Sequence, residues 1–74
     1  MIELYKEVGR RIQVERKAAR ITQTELASYA GFARPVSISE IEKGKVRCQL
    51  DTLYLIAEAL GISIYCLLPA CYQE

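Results

Sequence analysis

The chain has no histidine and only three cysteines, Cys48, Cys66 and Cys71. These facts narrow the chemistry at once. A structural zinc site wants four ligands, mostly nitrogen or sulfur, and this chain has three such side chains. An odd number of cysteines does not close a disulfide framework. A cysteine without a histidine to activate it is a poor nucleophile. Neighbouring carboxylates are limited to Glu40 and Glu42, and there is no glycine-rich nucleotide loop. No catalytic residue, metal, cofactor or small-molecule substrate is therefore expected. The thiols read as reduced, partly buried small hydrophobes, with a redox switch as the alternative.

What remains is the chemistry of recognition. Residues 1–47 hold all ten Lys and Arg and six of the nine acids, a net charge of +4; from Cys48 onward there are three acids and no base. Such asymmetry suggests one polyanion-facing region and a second region with another task. The first region also holds short polar side chains at places that matter. Gln23 and Thr24 follow a capping residue, Ser37 and Glu40 stand one helical turn apart, and Lys43, Lys45 and Arg47 form a basic run.

These residues need elements to hold them. Seventy-four residues allow one domain, 1–74, and 51% apolar content is too much for a disordered tail. Period-two alternation is scarce, and helical patterns lie between Gly31, Gly44 and Gly61, so the expected class is all-α with five short helices. The first runs from about Glu3 to Ala19 with Tyr5, Val8 and Ile12 on one face. The second opens with the capping box Thr22-Gln-Thr-Glu25 and closes at Gly31. The third begins at Pro35, carries Ile38 and Ile41 and stops at Gly44. The fourth, about Leu50–Leu60, shows Leu50, Leu53, Ala57 and Leu60 on one face. A fifth runs from Ser63 to Leu68, with Ser63 as N-cap. No apolar run reaches the roughly 18 residues of a membrane span. With charges in the first six residues, the expected setting is soluble and cytoplasmic.

A short capped helix, a tight turn and a second short helix match the helix-turn-helix pattern over about residues 22–44, although an ordinary helical hairpin shares that geometry. Four stretches carry more information. Ile12-Gln-Val-Glu-Arg16, Ile21-Thr-Gln-Thr-Glu-Leu-Ala27, Ser37-Ile-Ser-Glu-Ile-Glu-Lys-Gly44, and Leu53 through Ala57 to Leu60-Gly-Ile resemble, in this order, the Cro/cI-type helix-turn-helix family. That family includes phage repressors and restriction–modification controller proteins. The resemblance covers roughly Val8 to Leu68. It departs from the family pattern in three places: one extra residue between Gly31 and Gly44, near Phe32-Ala33-Arg34; Arg34 where a small polar N-cap is usual; and Cys48 where proline is common.

The resemblance implies a phage-repressor-like domain that regulates transcription by binding double-stranded DNA. Gln23 matches a backbone-contacting position, and with Thr24 it opens a helix whose free amides suit a phosphate. Lys43, Lys45 and Arg47 can track phosphates as point charges. Arg34, Pro35, Val36, Ser37 and Glu40 form the start and exposed side of the recognition helix. There Glu can accept from cytosine, Val can touch a thymine methyl, and Arg34 can reach a guanine or a phosphate. Arg16 falls on the apolar stripe of the first helix and Glu42 borders that of the third, so an ion pair is expected between them, as it is in the family.

Leu55 and Ala59, on the fourth-helix face away from its core stripe, join Tyr65, Cys66, Leu67, Leu68 and Tyr72 as an expected apolar surface. The C-terminal helices, residues 50–68, are thus expected to carry a homodimer surface, and Leu55, Ala59, Tyr65, Leu68 and Tyr72 are its expected contact residues. The competing expectation is a protein-interaction module, antitoxin-like or adaptor, that uses the same surface.

Overall fold

The computed structural model describes residues 2–32, 36–46 and 48–69. Four α-helices follow one another, α1 (Ile2–Ala18), α2 (Gln23–Ala30), α3 (Val36–Glu42) and α4 (Leu50–Leu60), and a 3-10 helix, Ile64–Leu67, closes the described chain. Each element contributes a side chain to one core. Ile12, Leu26, Ile38, Ile56 and Leu67 are fully buried, one from each. Burial of each aliphatic side chain stabilises the fold by about 1.5–3 kcal/mol. Val8, Ala27, Ile41, Leu53 and Ala57 complete the cluster.

Helix ends are set locally. Thr22 Oγ1 accepts from the Glu25 N–H at 3.0 Å while Glu25 Oε1 accepts from the Thr22 N–H at 2.8 Å, so the capping box is fully formed. One closing motif recurs at all four α-helices: the left-handed residue bonds back three positions and the next residue five. At α2 these bonds are Gly31 N–H to the Ser28 carbonyl (3.2 Å) and Phe32 N–H to the Ala27 carbonyl (2.8 Å). Gly44 and Gly61 serve α3 and α4 in the same way. At α1 the left-handed position is filled by Arg20, with φ 61°.

Several expectations need correction. The fifth helix is a 3-10 turn. With three residues per turn, Ile64 and Leu67 share its inner side, so Leu67 is fully buried and not part of an apolar surface. Leu50 is 71% exposed: the α4 core stripe is Leu53, Ile56, Ala57 and Leu60, and Leu50, at the first helical position, stands mostly in solvent. Ala59 and Leu68 pack against the margin of the core. Tyr5 is half-buried. Helix α1 ends at Ala18, because the Arg20 turn breaks it, and α3 ends at Glu42, with Lys43 and Gly44 in the turn beyond.

Candidate nucleic-acid interface

The site is built around a buried carboxylate. Glu42 ends α3 and its side chain is only 3% exposed. Arg16, two turns past Val8 and one past Ile12 on α1, meets it with both arms of its fork: Nε to Oε2 at 2.6 Å and Nη2 to Oε1 at 3.3 Å. The third guanidinium nitrogen, Nη1, donates to the Ile21 carbonyl at 2.9 Å, in the connector between α1 and α2. Gln23 Nε2 donates to Glu42 Oε1 at 2.9 Å. One carboxylate therefore ties α1, the connector, the first turn of α2 and the end of α3 together. Among the described residues no buried side-chain polar atom lacks a partner, as a buried charge requires.

This knot orients the candidate contacts. Thr24 is exposed in the first turn of α2; Gln23, beside it, is half-buried, with its amide nitrogen committed to Glu42. Glu40 is exposed on α3, and Lys43 and Lys45 are exposed just beyond it. The Lys45 N–H donates to the Glu40 carbonyl at 3.0 Å, so the basic turn is fixed to the helix it follows. Val36 and Ser37 lie in the first turn of α3. Arg34, Pro35 and Arg47 lie outside the described residues, as do Cys71 and Tyr72. Leu55 and Tyr65, 41% and 57% exposed, lie apart in sequence and element from the α2–α3 pair.

Charge separates the available cations from the committed ones. Arg10 and Arg11 both pair with Glu7, at 2.7 and 2.8 Å. The hydrogen bond from Arg10 above all, helped by Arg11 and opposed by desolvation, pulls the Glu7 carboxyl down to about 2. Among the described residues Lys6, Lys17, Arg20, Lys43 and Lys45 have no acidic partner. The sequence reading passed over Gly9, Arg20 and Ile56. Ile56 was legible, at i+3 from Leu53; Gly9 depends on what the fold brings against it, and Arg20 on a left-handed turn that glycine normally announces.

The described residues include no group of three acids or cysteines that could hold a metal ion. Among them no helix is long and apolar enough to cross a membrane.

This architecture is that of a helix-turn-helix domain. A helix-turn-helix family model matches residues 12–65, and the chain belongs to that family, in its Cro/cI type. It is 39% identical over 57 residues to the immunity repressor protein of Bacillus phage phi105. That match takes in 77% of this chain and 39% of the repressor, so the chain spans well under half the length of that relative. Among solved structures it resembles the restriction–modification controller protein C.AhdI of Aeromonas hydrophila, with TM-score 0.82 and 25% identity over 85% of this chain and 94% of that one. The DNA-binding domain of BldD shares the fold, with TM-score 0.83 and 18% identity over 93% and 99% of the two chains.

Proposed function

We propose that the chain is a sequence-specific, double-stranded-DNA-binding transcriptional regulator that acts in the cytoplasm as a homodimer. The observation that carries this reading is the Arg16–Glu42–Gln23 knot. It holds the first turn of α2 and the end of α3 in one fixed relation, the relation a helix-turn-helix needs to set one helix on the backbone and the next in the major groove. In this reading α3 is the recognition helix, with Arg34, Pro35, Val36, Ser37 and Glu40 toward the bases. Gln23, Thr24, Lys43, Lys45 and Arg47 face phosphates. The phage immunity repressor and the restriction–modification controller among the similar proteins support regulation of transcription.

The dimer contact is assigned to the α4 side, where Leu55 and Tyr65 expose apolar surface in a stretch without a base. Ala59 and Leu68 would contribute their outward edges, and Tyr72 belongs to the same proposed contact. A two-fold dimer presents its recognition helices about 34 Å apart, hence to a near-palindromic site. Selection of bound duplexes from a random pool tests the reading. It predicts recovery of one inverted repeat with half-sites about one helical turn apart. Recovery of no sequence above the starting pool would count against it, and would favour a protein partner at the α4 surface.

A further inference from the structure

We propose that Arg20 is a further phosphate-contacting residue of the interface, held by a strained backbone at the entry to α2. The inference rests on the DNA-binding reading above. Four α-helices end in the same pair of hydrogen bonds, and in each the left-handed residue is forced by that pairing. Three of the four positions hold glycine, Gly31, Gly44 and Gly61; the fourth holds Arg20. Arg20 is the only non-glycine residue with positive φ among the described residues. A side chain in this region crowds its own backbone, and glycine avoids the crowding. Local geometry therefore favours glycine at position 20, and a benefit to arginine must come from its side chain.

That side chain has no work inside the fold. Arg20 is exposed, and among the described residues its guanidinium has neither an acidic partner nor a hydrogen bond. Its backbone, by contrast, is pinned on both sides. The Arg20 N–H donates to the Lys17 carbonyl at 3.0 Å, the Ile21 N–H to the Arg16 carbonyl at 3.3 Å, and Arg16 Nη1 grips the Ile21 carbonyl at 2.9 Å. Residues over-determined in this way hold strain where function uses it. Arg20 and Gln23 are three positions apart, so their Cα atoms lie within about 11 Å. A long cation on a fixed base beside a phosphate-facing turn adds one more point of charge to the backbone of a bound duplex.

Two variants separate a phosphate contact from a purely structural role. Arg20→Gln removes the charge and keeps the left-handed backbone under strain; Arg20→Gly removes both. With the duplex recovered by selection, each should flatten the log–log dependence of affinity on salt by about 0.9, the loss of one neutralised phosphate. The advantage of the wild type over either variant should then shrink about threefold between roughly 50 and 200 mM salt. Arg20→Gly should also melt about 4–8 °C higher than the wild type, so that stability and affinity move in opposite directions. Salt slopes unchanged in both variants, with a steep wild-type slope, would overturn the proposal and leave Arg20 as a cation on the α1 dipole. A wild-type protein that binds no duplex would remove the DNA-binding reading itself.

Discussion

Gly9 of α1 lies directly against the carbonyl end of α3: a Cβ at this position would stand 2.6 Å from the Glu42 carbonyl oxygen and collide with that of Ile41. The two helices thus meet backbone to backbone, about two turns of α1 before Arg16 joins Glu42 by its side chain. At Gly44 the approach is similarly tight, since a Cβ there would lie 2.7 Å from the Lys6 Cα. The end of the proposed recognition helix is consequently seated close against α1 at these two glycines.

Gly9→Ala is expected to destabilise the domain by about 1–3 kcal/mol, the usual range for overpacking. Alanine's better helix propensity, about 1 kcal/mol, acts the other way and is outweighed because the obstructing atoms are backbone. Urea denaturation measures the difference. A variant as stable as the wild type would mean that α1 and α3 can separate at little cost.

Glu42→Ala should cost more, roughly 3–5 kcal/mol, because it leaves the Arg16 charge buried without its partner. Arg16→Lys should lose part of that amount, since an ammonium cannot reach both carboxylate oxygens and the Ile21 carbonyl together. The double variant Arg16→Met with Glu42→Leu should be far less damaging than Glu42→Ala. Denaturation of the three variants side by side gives the order. Equal stability of Glu42→Ala and wild type would remove the ion pair from the account.

Cys48 offers a test at alkaline pH. The thiol lies in the wall of an apolar cavity with Leu4, Tyr5, Val8, Leu53 and Leu68. Burial first, and then the charge of Asp51, push its pKa from 9.0 up to about 11. A folded pKa above the unfolded one contributes stability that is fully present below about 9 and is lost as pH rises toward 11. Cys48→Ser should therefore flatten the fall in melting temperature across that window. An identical pH profile for the two proteins would show that the thiol is not desolvated.

The proposed dimer contact is tested by Leu55→Glu combined with Tyr65→Glu. Both side chains are exposed in the protomer, so the paired charges should leave the fold intact. Sedimentation should then show a monomer at concentrations where the wild type is dimeric, with weaker binding to the selected duplex. An unchanged sedimentation coefficient would place any dimer contact elsewhere.

Local signals carried by polar caps and glycines were legible in the sequence, and tertiary ones only in part. The Thr22–Glu25 capping box and the Gly31 turn are decided within a few residues, and both formed as spaced. Arg16 and Glu42 announced themselves as charges on apolar stripes, because burying a charge demands a partner. Gln23 gave no such signal: a glutamine in the first turn of a helix looks solvated until the end of α3 arrives beside it. Gly9 in a helix reads as a weak residue unless the carbonyls facing it are known. Arg20 was missed because a left-handed conformation is normally announced by glycine. Leu67 was misplaced because a crowded run of apolar residues does not show which of them a segment turning every three residues faces inward.

In the proposed function, the surface made by α2, α3 and the basic turn after it binds duplex DNA by phosphate charge and reads its sequence. The most direct measurement is the affinity for the selected duplex and for a scrambled duplex of equal length, each across a range of salt concentrations. A straight log–log fall with salt is expected for both, with a preference of about a thousandfold or more for the selected sequence. Equal affinity for the two duplexes, or binding indifferent to salt, would contradict it.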